Sequence, residues 1–122
     1  MVMIREKFKA SYDGESDVLT IYRDGSVRES VEVSEELIID LDKNKQLVNL
    51  ELLDAYKFLH TLNEKITKDM LIDLQEAELQ VKNFRNYVII TLAFQHKNQK
   101  IEEKLPAFVH TDFKSPLIAA MV

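Results

Sequence analysis

VSEELIIDLDKNKQLVNLELL, Val33 to Leu53, decides the fold: two apolar runs, Leu37 to Leu41 and Leu47 to Leu53, flank the polar turn DKNKQ. Leu37, Ile39 and Leu41 alternate with Ile38, Asp40 and Asp42, and Val48, Leu50 and Leu52 alternate with Asn49 and Glu51. Successive side chains on a strand point to opposite faces, so this spacing predicts a β-hairpin with one core face and one largely solvated face. A slip of one residue would bury Asp40 and Asp42, which fixes the register.

Upstream, Phe8, Ala10 and Tyr12 alternate with Lys9 and Ser11, and the turn DGES leads into Val18 to Tyr22, VLTIY, a β-branched and aromatic run. Asp24-Gly25 is a strong short hairpin signal, and Val27, Val31 and Val33 suggest a third strand. Downstream the period changes. Leu53, Tyr56, Leu59 or His60, and Leu62 recur at helical spacing, predicting about three turns that end at Asn63 to Lys65. Thr67 is placed to cap a second short helix through Met70, Leu71 and Leu74, with Asp69 near its positive end. Strand pattern returns at Leu79 and Val81. YVIITLAF then puts Val88, Ile90, Leu92 and Phe94 on one face and Tyr87, Ile89, Thr91 and Ala93 on the other, which predicts a central strand covered on both sides. Pro106 marks an edge strand or bulge, because it donates no ladder hydrogen bond. The apolar tail FKSPLIAAMV needs cover from its own core or from another subunit.

The predicted architecture is α+β: an antiparallel meander over 1–53, two short helices over 54–76, and C-terminal antiparallel strands over 77–122, sharing one core in a single domain. The 122 residues suffice for such a core, and 46% hydrophobic with 30% charged content is ordinary for a globular chain. With no cysteine, there is neither a disulfide framework nor thiolate chemistry. MVMIREKFKASYDG lacks a signal-peptide core and no apolar run has membrane-spanning length, so a soluble, cytoplasmic protein is expected. Of the net charge of −5, all the excess lies in residues 1–61, with 13 acidic and 8 basic side chains against 8 and 8 in residues 62–122. That imbalance argues against nucleic acid as a direct partner.

YDGESDVLTIYRDG, VEVSEELIIDLDKNKQLVNLELLDA and the Asp54-Ala55 step into a helix resemble Domain of Unknown Function 2283 across Tyr12 to Leu59. The first segment is similar to that family's opening strand pair and the second to its central hairpin. Lys45 stands where the family usually has a turn glycine, and residues 60–122 fall outside the pattern. The resemblance implies a small prokaryotic or viral protein. Because some members are encoded beside small toxin-like proteins, it also implies an antitoxin or regulatory role.

Candidate sites are few. Asp40, Asp42, Asn44 and Glu51 occupy positions 1, 3, 5 and 12 of an EF-hand calcium loop, with Leu47 at position 8. Position 6, which needs glycine for its sharp turn, holds Lys45, and the flanks read as strands where an EF-hand has helices, so a solvated hairpin tip is the preferred reading. His60, His96 and His110 are scattered without a metal-ligand pattern. Glu35-Glu36 and Glu102-Glu103 read as solvated charges and edge protection, because adjacent strand residues face opposite ways. In VKNFRNYV, Phe84 and Tyr87 could stack a base while Arg85 and Lys82 meet phosphate. The plainer reading of that segment is a turn with buried aromatics.

With no glycine-rich phosphate loop or nucleophile elbow, no catalytic residue and no cofactor are assigned. The expectation is a non-catalytic protein-interaction or regulatory module, antitoxin-like, homodimeric, with a basic protein partner. The alternative is a nucleotide-type small-molecule binder using Lys82, Phe84, Arg85 and Tyr87.

Overall fold

The β-branched and leucine-rich runs assemble into one antiparallel sheet in the computed structural model, which describes residues 5–44, 46–83 and 87–108. Its strands are β1 (Arg5–Asp13), β2 (Val18–Tyr22), β3 (Glu29–Glu32), β4 (Leu37–Leu41), β5 (Leu47–Leu53), β6 (Glu76–Asn83), β7 (Tyr87–His96) and β8 (Gln99–Phe108). Two helices, α1 (Ala55–Leu62) and α2 (Lys68–Ile72), join β5 to β6. The fold is α+β, as the sequence pattern predicts.

The decisive hairpin forms in the expected register, with Leu37 opposite Leu52 and Ile39 opposite Leu50. A bulge follows Asp40, so Leu41 faces Leu47 and Val48 is skipped. Such an extra residue bends the strand and lets Leu47 and Val48, adjacent in sequence, both be buried. Alternate residues of every strand then build one core that includes Phe8, Ile21, Ile39, Leu50, Leu79, Ile90 and Leu105, with Leu59, Ile66 and Leu71 of the helical segment.

Strand order is β3-β4-β5-β2-β1-β6-β7-β8, so the first five strands form a Greek key in place of an unbroken meander. Asp24-Gly25 does not close a hairpin. β2 pairs with β5, and Arg23 extends that pairing, its N–H donating to Val48 O at 3.0 Å and its Nε–H to Leu47 O at 2.7 Å. With that edge occupied, the chain crosses to the far side of β4 and lays β3 there as an edge strand. Val31 is buried on β3, while Val27 in the crossing is 51% exposed.

β7 is not central; it lies one strand in from the β8 edge. Its second face is buried at Thr91 and Ala93, where small residues have long neighbours. Ala93 sits between Glu78 and Glu102, and Thr91 between Gln80 and Lys104. Pro106 falls on the edge strand opposite Ile89. Alternation along the ladders from the Ala10 N–H to Gln75 O bond points its imide nitrogen away from β7, so the β7–β8 ladder loses no donor. The tail FKSPLIAAMV lies outside the described residues.

α1 is shorter than its periodicity suggests, and Leu62 is 43% exposed, because Asn63 already leaves helical geometry. Its start is capped from a distance. Asp54 precedes it in left-handed conformation (φ 50°) and makes no side-chain cap. Asp17, in the β1–β2 turn, caps instead: its carbonyl accepts the Ala55 N–H at 2.9 Å, and its Oδ1 accepts the Tyr56 N–H at 2.8 Å and the Tyr12 hydroxyl at 2.6 Å. α2 has the cap expected of it, the Thr67 hydroxyl oxygen accepting the Met70 N–H at 3.3 Å. Replacing Thr67 by alanine is expected to cost about 0.5–2 kcal/mol, read as a lower urea midpoint at unchanged slope. Threonine-to-serine replacement should restore most of it.

A cleft in the plane of the sheet as candidate functional site

β6 pairs with β1 as far as Lys9↔Glu76, but with β7 only from Glu78↔Ala93 onward. β7 nevertheless continues to His96, held by β8 through His96↔Gln99. The two strands therefore part, and the rung that would set Glu76 opposite Gln95 is missing from their ladder. The cause lies in the chain leaving α2. Leu74 is buried, and Gln75 O accepts the Ala10 N–H at 2.8 Å, drawing the start of β6 onto β1.

A cleft of about 540 Å³ occupies the gap, within the usual range for small-ligand pockets. Its lining comes from both faces of the sheet: Lys7, Ala93 and Lys100 from the outer face, Ala77 and Phe94 from the core face. It therefore lies in the sheet plane, at the open end of the β6–β7 ladder. Asp73, Glu76 and Glu78 add negative charge to the two lysines, and the largely buried Met70 and Leu74 border the cleft on its core side.

At this cleft His96 meets Asp73, Nε2 to Oδ2 at 2.9 Å, tying the end of β7 to the end of α2. The imidazole is 16% exposed and the carboxylate 61%, so the pair is half in water and contributes modestly to stability. A histidine–aspartate pair can activate a hydroxyl or thiol held against it. Among the described residues the lining contains no serine, threonine, cysteine or tyrosine for it to activate. His60 serves the helical segment: Nδ1 lies 2.9 Å from Ile66 O, and its ring packs 5.1 Å from that of Tyr56. His110 lies outside the described residues.

The EF-hand-like residues are engaged elsewhere. Asp40 Oδ1 accepts the Ser30 hydroxyl at 2.6 Å and Oδ2 the Asn49 amide at 2.9 Å, a ladder across β3, β4 and β5. Asp42 Oδ1 accepts the N–H groups of Gln46 (3.0 Å) and Asn44 (2.8 Å), closing the turn and holding its carboxyl below the usual range. Glu51 stands on β5 between Ile38 and Thr20. Among the described residues no three His, Asp or Glu side chains gather as a metal site.

Of the nucleotide-type candidates, Lys82 lies on β6 opposite Ile89. Tyr87 starts β7 opposite Phe108. Phe84 and Arg85 lie outside the described residues, as does the Tyr87 side chain. That segment joins β6 to β7 at the end remote from the cleft. Glu102 and Glu103 do face opposite ways, Glu102 opposite Ala93 and Glu103 opposite Leu92 on the core face.

Charge is also polarised along the sheet. Residues 29–54 carry eight acidic side chains (Glu29, Glu32, Glu35, Glu36, Asp40, Asp42, Glu51, Asp54) and two basic ones (Lys43, Lys45). They make up β3, β4 and β5, the end of the sheet closed by the short edge strand β3. Among the described residues no helix is long and apolar enough to cross a membrane.

Comparison with known proteins agrees with the resemblance read from the sequence. Residues 9–55 match the family described as Protein of unknown function (DUF2283). The matched stretch is the Greek-key half, from within β1 through β5 to the first residue of α1; the cleft is built mainly from residues beyond it. An uncharacterized protein of Methanocaldococcus jannaschii is 29% identical over 65 residues, spanning 53% of this chain and 56% of the relative. The chain thus spans little more than half the length of that relative. No solved structure matches.

Proposed function

We propose that this chain is a non-catalytic interaction module of regulatory, antitoxin-like role, which uses the acidic β3–β5 end of its sheet to engage a basic protein. The observation that carries this reading is the gathering of eight acidic and only two basic residues at an end of the sheet bounded by an edge strand. Such a field speeds and selects encounter with a cationic partner and repels nucleic acid. The same charges guard the edge against non-specific strand pairing. The chain works in the cytoplasm as a homodimer, a reading supported by Leu62 and Ile72, 43% and 57% exposed on the two helices.

Capture from source lysate tests the first claim. A basic protein should co-purify at low salt, leave at high salt, and be lost in the double variant Glu29→Lys/Glu32→Lys. Capture that ignores both salt and charge reversal would sink the proposal. Size-exclusion chromatography with light scattering should report the mass of two chains, and a monomer at high micromolar concentration would end the dimer.

A further inference from the structure

The β6–β7 cleft has three properties that together define a ligand. It lies in the sheet plane, where the ladder between two continuing strands lacks its Glu76–Gln95 rung. Its walls carry both signs of charge, Lys7 and Lys100 against Asp73, Glu76 and Glu78. Phe94 and Met70, 5% and 8% exposed, border it with a small apolar surface.

A metal ion is a poor match, since Asp73 is bonded to His96, and no three carboxylate or imidazole groups converge among the described residues. A nucleotide is no better, because three carboxylates would face its phosphates. A molecule with a main-chain amide, a carboxylate, an ammonium group and a modest apolar side chain answers every wall. We propose that the cleft binds a short free peptide in extended form. Its amide takes the place of the missing rung, its carboxylate is held by Lys7 and Lys100, and its ammonium group by the acidic residues. Main-chain hydrogen bonds of the strand-addition kind supply affinity that tolerates sequence, and the charged termini set direction and length. The site is separate from the acidic β3–β5 end.

Titration of the isotope-labelled protein with the tripeptide Ala-Leu-Ala, followed by amide chemical shifts, tests this. Shifts are expected at residues 74–78 and 93–96, saturating at about 1 mM or below. The tripeptide carboxamide should bind at least about tenfold more weakly, a difference of 1.4 kcal/mol or more. Lys7→Gln/Lys100→Gln, two exposed replacements that leave the core intact, should weaken the free peptide to the level of the carboxamide. Glu29→Lys/Glu32→Lys should bind the peptide as the parent does, which keeps this result distinct from that of the acidic end. Absence of shifts at those residues, or equal binding of peptide and carboxamide, would overturn the assignment.

Discussion

Leucine-to-alanine replacement at Leu50 is expected to remove about 2–5 kcal/mol of stability, a large share of the 5–15 kcal/mol that holds a domain of this size. Leu50 is fully buried on β5, directly across from Ile21 on β2 and Ile39 on β4, themselves fully buried. Three hydrogen-bonded strands fix those neighbours, so they cannot close over the space, and the cavity term adds to the lost transfer energy. Thermal unfolding should fall by roughly ten degrees or more. Val27→Ala serves as the control: its parent side chain is 51% exposed, and the change should stay within about 0.5 kcal/mol. A loss below about 1 kcal/mol at Leu50 would mean that β5 does not lie between β2 and β4 in this register.

What the sequence disclosed was whatever depends on neighbours along the chain. The β4–β5 hairpin was legible because period-two alternation, a polar turn and the cost of burying Asp40 all favour one register. The α2 cap was legible because Thr67 and the Met70 N–H it serves are three residues apart. Apart from the early end of α1 at Asn63, the departures involve competition from a distant partner. Asp24-Gly25 had the chemistry of a hairpin turn, but β5 occupied the edge of β2 that a β2–β3 hairpin needs. β7 looked central because both faces are apolar. Long side chains on β6 and β8 can bury Ala93 and Thr91 without another layer, and nothing in the β7 sequence reports what flanks it.

The cleft shows the same limit more sharply. Asp73 and His96 are 23 residues apart, and Lys7 comes from the first strand. No local spacing joins them. Only strand order brings β1, β6 and β7 side by side, and the gap opens where β6 still pairs with β1 but no longer with β7. The acidic end differs: a charge count by halves already locates the excess, and the structure sharpens it into one end of the sheet, since β3, β4 and β5 are consecutive both in sequence and in space.

Asp17→Asn should destabilise the protein at neutral pH and flatten the acid limb of its stability profile, because Asp17 links the β1–β2 turn to α1. Burial opposes its charge. Hydrogen bonds from the Tyr12 hydroxyl and from the N–H groups of Tyr56 and Lys57, with the Lys68 charge, outweigh burial and hold the carboxyl below its ordinary 3.8. A carboxyl whose pKa is lower in the folded state stabilises the protein above its unfolded value and loses that contribution as pH falls through the folded one. The parent should therefore weaken progressively below about pH 4, and the asparagine variant should weaken less. Asp13 and Asp42, also held low by turn N–H groups, leave part of that slope in place. Tyr12 works in the opposite sense. Burial first, then the hydrogen bond and charge of Asp17, push its phenol above the ordinary 10.0. Its contribution is thus full below pH 10.0 and is lost as pH rises through the folded value. Tyr12→Phe should remove that alkaline limb and also shrink the acid limb, because the Tyr12 hydroxyl is the foremost of the hydrogen bonds that lower the Asp17 carboxyl. At neutral pH the loss for Asp17→Ala is expected at about 1–2 kcal/mol, the value of a helix cap, and for Asp17→Asn somewhat less, since the amide oxygen can still accept the Tyr56 N–H. Urea midpoints measured from pH 3 to pH 7 decide it. An acid limb unchanged in Asp17→Asn would show that Asp17, itself left-handed (φ 56°), positions the chain without its carboxylate bearing on stability.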